Sequence, residues 1–278
     1  MADPRGDRAA PSEVALGYHV VNHAPRFGSS LPLDEHLTAA AAAGFAGVAL
    51  DTGSIDRWIG EGGTLGSLSR LLARLGLACH EVAALRLVEP ASALEQAVQL
   101  ARTAEALGSE WVVAVVLAGG GEPIVEVLGE AAERIAGHGA RLAIEFLPWS
   151  PVSTLAEARA IVAAAGGPAR AACLVDTWHV FHGGASLEEL AALPLDEIGL
   201  VHFNDAQPPR GDDLRYESTE RRTLPGLGHL DLAAFVGVVR AKGYTGIVDV
   251  EVLSGELRRR DIRAVTAEAY ARTRPFWR

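Results

Sequence analysis

Short apolar runs alternate along this chain with longer alanine-rich segments whose apolar residues recur every three or four positions. The short runs have the length and branched-residue content of strands, and the longer ones have the period of amphipathic helices. The pattern predicts strands at 15–21, 45–51, 77–84, 110–117, 140–146, 171–177, 197–203 and 246–252. Helices are expected at 33–43, 64–75, 91–107, 122–137, 154–166, 186–192, 231–242 and 258–273. Strict strand–helix alternation means an α/β protein with a parallel sheet, and eight such pairs close a (β/α)8 TIM barrel. The turn Gly44-Phe45-Ala46-Gly47 before strand 2 is echoed by Gly243-Tyr244-Thr245-Gly246 before strand 8, as expected of repeated units. One connection is long, from about 204 to 230. A structureless loop of that length is usually functional or disordered, and its position after a barrel strand favours function.

Length and composition are consistent with one barrel domain over 13–278, preceded by a charged, flexible tail over 1–12. The tail has no apolar signal segment, which suggests a cytoplasmic protein, and no run approaches the roughly 20 apolar residues of a membrane span. A formal net charge of −10 argues against nucleic acid as a partner. Cys79 and Cys173 both fall in predicted strands and read as buried thiols. Lys242 is the only lysine and precedes the last strand, away from the expected site, which argues against Schiff-base chemistry and makes arginine or histidine the expected substrate-binding cation.

Four predicted strands finish on a metal-ligand side chain: Glu145 after Leu142-Ala143-Ile144, Asp176 after Cys173-Leu174-Val175, His202 after Leu200-Val201, and Glu251 after Val248-Asp249-Val250. An ionisable group that closes an apolar run needs a partner or an ion to compensate its burial. Strands 5 to 8 are neighbours in a barrel, and their carboxyl ends line the active-site mouth. One divalent cation held by Glu145, Asp176, His202 and Glu251 explains all four endings. Ion pairing of each acid with an arginine across the barrel top is the competing explanation. The oxygen-rich donor set suits manganese first, with magnesium, cobalt or zinc as alternatives.

These motifs are similar to those of the xylose-isomerase-like barrel family, which contains sugar isomerases and epimerases, inosose dehydratases and hydroxypyruvate isomerases. The family is related to nucleases of the endonuclease IV type. The resemblance rests on Glu145, Asp176-Thr177-Trp178-His179, His202-Phe203-Asn204-Asp205, Arg222-Thr223-Leu224-Pro225-Gly226-Leu227-Gly228 and Glu251. It implies that Glu145 and Glu251 are acid/base groups as well as ligands. It also implies that His179 meets a substrate oxygen and that Arg222 acts from the loop after strand 7. The chain departs from the sugar 3-epimerases in lacking a second glutamate after strand 5, where Phe146-Leu147-Pro148-Trp149 follows. The nucleases' extra metal ligands have no counterpart in Arg221-Arg222-Thr223.

The implied activity is isomerisation or epimerisation of a ketose or related polyol ketone through an enediolate. Inosose-type dehydration is the first alternative and phosphodiester hydrolysis the second. The expected partner is a small sugar, cyclitol or hydroxy-ketone; a homo-oligomer is a further candidate assembly, since barrel enzymes of this kind are often dimers or tetramers. Among the mouth aromatics Trp58, Trp149 and Trp178, the last is expected to line the substrate pocket. Asp205 is a further candidate on the substrate side, orienting His202 or capping a loop. In His80-Glu81, alternation along strand 3 turns one side chain inward, and Glu81 is either an auxiliary acid or a paired rim residue. Gly119-Gly120-Gly121-Glu122 fits a flexible turn better than a phosphate loop.

Overall fold

A computed structural model of the protein describes residues 14–119 and 121–278. The expected tail over 1–12, the start of the domain at residue 13, and Gly120 of the glycine turn lie outside the described residues. The barrel strands are β1 (Leu16–His19), β2 (Gly47–Asp51), β3 (Ala78–Leu87), β4 (Trp111–Val116), β5 (Arg141–Glu145), β6 (Ala171–Asp176), β7 (Ile198–His202) and β8 (Val248–Val250). All pair in parallel, and β1 joins β8 to close the ring. The helices packed around them are α1 (Leu33–Ala43), α2 (Thr52–Gly60), α3 (Leu65–Leu75), α4 (Pro90–Leu107), α5 (Glu122–Ala136), α6 (Leu155–Ala164), α7 (Leu187–Ala192), α8 (Leu214–Glu220), α9 (Leu232–Ala241) and α10 (Ile262–Trp277). The chain is a single TIM barrel.

Two periodicities build two cores. On β4, Val112, Ala114 and Val116 face the helices, whereas Trp111, Val113 and Val115 fill the barrel. Ala172 and Leu174 of β6 and Leu200 of β7 join the interior set. Because side chains alternate along a strand, Asp176 and His202 continue those inward rows at the strand ends, and Glu145 does so after Ala143. The same parity turns Cys173 outward, where it is a buried free thiol in the strand–helix core. Cys79 is also buried and free.

Two features were absent from the periodic reading. Helix α2 follows β2 directly, and its first turn is capped by the Asp51 carboxylate, which accepts from the Ser54 backbone at 3.1 Å. The segment after β7 is also built rather than structureless. It contains α8 and a short antiparallel pair, Asp205–Ala206 against Arg222–Thr223. Period-based reasoning passes over a helix of two turns flanked by prolines and charges.

The expected one-in, one-out arrangement of His80 and Glu81 is corrected by a β-bulge. Val48 pairs with Cys79 but Ala49 pairs with Glu81, which leaves His80 as an extra residue. A bulge suspends strict alternation, and both side chains enter the barrel. His80 Nε2 lies 3.2 Å from the buried Asp249 carboxylate, and Glu81 reaches His19 and His202. Gly17 makes room for this, since a Cβ there would sit 2.5 Å from the His80 ring.

At the opposite end from the mouth, Lys242 follows α9 and donates from Nζ to the Ala191 carbonyl at 2.7 Å. No helix among the described residues is long and apolar enough to cross a membrane.

Candidate metal centre

Glu145, Asp176, His202 and Glu251 converge at the carboxyl ends of β5 to β8, and one donor atom from each lies within 4.8 Å of the others. All four are buried, Asp176 completely. Glu145, His202 and Glu251 stand at the floor of a cavity of about 480 Å³, and Asp176 lies fully buried outside its lining.

Asp176 is held from three sides. Its Oδ1 accepts from the His179 backbone N–H at 3.2 Å and caps the helical turn Thr177–His179, while Oδ2 accepts from Asn204 Nδ2 at 2.9 Å and Arg222 Nη1 at 2.7 Å. Thr177 Oγ1 donates to the Asn204 carbonyl at 2.9 Å and so ties the ends of β6 and β7 together. That cap turns His179 over the cavity, where its Nε2 lies 3.1 Å from Glu145 Oε1.

Arg222 reaches the floor from the loop after β7. Its Nη1 also donates to Glu251 Oε2 at 3.0 Å, and Ser218 of α8 fixes the other side of the fork through its carbonyl and hydroxyl. Burial would lower the Arg222 pKa, but Asp176, Glu251 and Glu145 outweigh it and raise the value. Burial likewise opposes ionisation of Glu251, and Arg222 and His202 overcome it, holding this carboxyl well below the usual range. Arginine pairing therefore accounts for Asp176 and Glu251 in part, and not for Glu145, which no arginine contacts within ion-pair distance among the described residues.

Glu81 is fully buried beneath this floor. It lies 2.8 Å from His202 Nε2 and 3.2 Å from His19 Nε2. Burial favours the neutral acid, but the two imidazoles prevail and depress its pKa; Glu81 in turn raises His202 well above the ordinary imidazole value. A hydrogen bond at Nε2 leaves Nδ1 as the ligating nitrogen. His202 Nδ1 is indeed buried without a hydrogen-bond partner and lies 3.7 Å from Glu251 Oε2. An orphaned imidazole nitrogen among three carboxylates fits a divalent cation, whose binding there would release a proton. His19, Glu81, His202 and Asp249 form a deeper cluster that also has ligand geometry, but His19 and His202 are already committed to Glu81.

The remaining candidates are distributed differently from the sequence reading. Trp149, not Trp178, lines the cavity, and its ring lies 5.4 Å from that of His179. Trp178 is buried one layer behind, stacked on His182 at 3.9 Å. Trp58 donates to the Thr64 carbonyl outside the cavity. Asp205 does not face the substrate space or touch His202. Its carboxylate accepts from the backbone N–H groups of Ala206, Gly226, Gly228 and Leu230 and shapes the loop that carries Arg222. A Cβ on Gly228 would collide with that carboxylate, which explains the second glycine of Gly226-Leu227-Gly228. Glu81 as the partner of His202, Asn204 on Asp176 and Ser218 on Arg222 were not assigned by sequence reasoning. For Glu81 the signal was an acid inside an apolar run.

The family model for the xylose isomerase-like TIM barrel matches residues 37–274. The chain belongs to this family. Within it, the chain is 31% identical over 244 residues to a 3-dehydroshikimate dehydratase of Pseudomonas aeruginosa, covering 84% of this chain and 38% of that protein. It is 30% identical over 165 residues to an inosose isomerase of Halalkalibacterium halodurans, covering 55% of this chain and 57% of the relative. The chain thus spans little more than half of one relative and less than half of the other. Among solved structures, a protein named IOLI, with a bound zinc atom, superposes with a TM-score of 0.83 at 20% identity, covering 94% of this chain and 97% of the other. At that identity the likeness is one of fold.

Proposed function

We propose that this barrel is a divalent-metal-dependent isomerase or epimerase of a ketose or related polyol ketone, moving a proton on the carbon beside the carbonyl. The observation that carries the reading is the meeting of Glu145, Asp176, His202 and Glu251 around the orphaned His202 Nδ1, with Glu145, His202 and Glu251 lining one cavity. Those four residues would hold the ion, and the donor set suits manganese, with magnesium, cobalt and zinc as competitors. When bound, a divalent ion supplies Lewis acidity that stabilises negative charge on the carbonyl and neighbouring hydroxyl oxygens.

The protein's own groups supply the proton chemistry. Glu251, kept ionised by Arg222 and His202, is suited to accept a proton from carbon. Glu145 stands three strands away on β5, beside His179 Nε2, and is suited to return one from another direction. His179 and Arg222 offer donors to the oxygens of the resulting enediolate. Trp149 with Val113, Val115 and Leu147 provides an apolar wall that excludes water from the reacting carbon. Return of the proton to the opposite face epimerises the carbon, and return to its neighbour isomerises the ketone.

A second reading is dehydration, in which the same carbanion expels a β-hydroxyl. The dehydratase relative supports it by matching 84% of this chain. One experiment tests both readings. Manganese-loaded protein is incubated with candidate hydroxy-ketones in D2O, and product is followed by NMR and mass. Deuterium at carbon without loss of water supports the isomerase or epimerase; an unsaturated product supports the lyase. A protein that neither binds metal nor exchanges carbon-bound hydrogen refutes the whole reading.

A further inference from the structure

Above the floor, the cavity continues past the apolar wall to a rim carrying Arg26, Arg86 and Arg215. They come from three separate elements: the turn Pro25–Phe27 after β1, the end of β3, and α8. Arg26 lies 4.8 Å over the Phe27 ring. No carboxylate of the described residues lies within ion-pair distance of any of these three guanidinia. Their charges act on one another: loss of solvent and then the fields of Arg26 and Arg215 lower the Arg86 pKa.

The acids that share the cavity are committed elsewhere. Asp51 caps α2 through Ser54, Glu81 holds His19 and His202, Glu145 faces His179, and Glu251 faces Arg222. Three unpaired cations converging on one mouth cost free energy by mutual repulsion, in a chain whose formal net charge is −10. A bound anion relieves that repulsion, and guanidinium forks match carboxylate and phosphate oxygens. The same cavity has apolar lining from Val113 and Val115 of β4, Leu117 just after it and Leu147 after β5, a surface suited to ring or chain carbon.

We propose that the substrate is an anionic hydroxy-ketone, its carboxylate or phosphate gripped by Arg26, Arg86 and Arg215 while its ketone end meets Glu145, His179 and Glu251. This inference rests on the enzymatic reading above and narrows it to a charged substrate class. A neutral cyclitol ketone such as inosose leaves the rim unused. A carboxylated ring ketone such as 3-dehydroshikimate uses both ends of the cavity.

The test compares these two compounds and a ketose phosphate on manganese-loaded protein. The charged ketone should have a KM about tenfold or more below that of inosose, and rising salt should narrow the gap. Arg86→Gln and Arg215→Gln should each raise its KM about tenfold, with kcat within about twofold and the inosose kinetics unmoved. Arg86→Lys should recover part of the loss. Preference for the ketose phosphate over 3-dehydroshikimate assigns the anion as phosphate. A separate readout uses metal-free protein, with Trp149 in the cavity as fluorescence reporter, titrated with 3-dehydroshikimate and with inorganic phosphate. Saturable binding that weakens about tenfold or more in the triple Arg→Gln variant supports the anion site even where no ketone is turned over, which separates it from failure of the enzymatic reading. Equal KM for charged and neutral ketones, or titrations unchanged in the triple variant, overturns the proposal.

Discussion

His36 of α1 is a buried imidazole whose two ring nitrogens both lack a hydrogen-bond partner. Its ring lies 6.0 Å from that of His23, and burial, His23 and Arg57 together lower its pKa from 6.5 to about 4. The unfolded chain therefore takes up this proton first. Stability from keeping His36 neutral is complete above pH 6.5, falls as pH drops from 6.5 to about 4, and falls no further below that. A difference between 6.5 and about 4, at 1.36 kcal/mol per unit, corresponds to about 3 kcal/mol in the acid limit and about 2 kcal/mol at pH 5. Replacing His36 with leucine removes the titration while keeping a side chain of similar bulk. Urea unfolding at pH 7.5, 6, 5 and 4.5 should show His36→Leu close to or above wild type at pH 7.5. The variant should gain on wild type steadily on acidification, by about 2 kcal/mol at pH 5, with unchanged m-values. Parallel stability curves for the two proteins across this range would refute the reasoning, because His36 would then titrate alike in both states.

Further predictions concern the site. Glu81→Gln should weaken divalent-metal affinity about 10- to 100-fold by calorimetry, since the amide removes the charge that orients His202; unchanged affinity would mean that Glu81 does not set this ligand. Asp205→Asn should lower activity through displacement of the Arg222 loop and increase proteolysis between 205 and 230, and a wild-type cleavage pattern would dissociate Asp205 from that loop. Trp149→Ala should raise KM with little effect on melting, whereas Trp178→Ala should cost about 3 to 5 kcal/mol of stability as a cavity mutation. The reverse assignment would place Trp178 in the pocket.

The barrel was legible because each of its eight strands is a short apolar run with its own helix, and the four donor residues follow from strand parity. Glu145, Asp176, His202 and Glu251 each extend an inward row by two positions, so their meeting at one rim needs only the count of strands. Glu81 was legible as an oddity but not as a partner of His202, because the bulge at Cys79–Glu81 breaks the alternation that assigns faces. Trp178 and Trp149 illustrate another boundary. Both lie just past strand ends, and which one faces the cavity depends on the helical turn that Asp176 caps, a tertiary outcome with no periodic signature. Asp205, three residues past His202, was expected on the substrate side, orienting that histidine or capping a loop, and it is the loop that it caps. Its four backbone donors run from Ala206 to Leu230, a loop whose path no local propensity specifies.

The position of Lys242 has a practical consequence. Its side-chain amine is the only one in the chain, and it sits at the end of the barrel opposite Glu145, Asp176, His202 and Glu251. Amine-directed coupling at this residue to a sensor surface or resin would hold the molecule by its base, with the mouth of the barrel toward the bulk solution. Ligand titrations on such a support would sample at most two attachment points, this residue and the terminal α-amine, rather than the many of random lysine attachment.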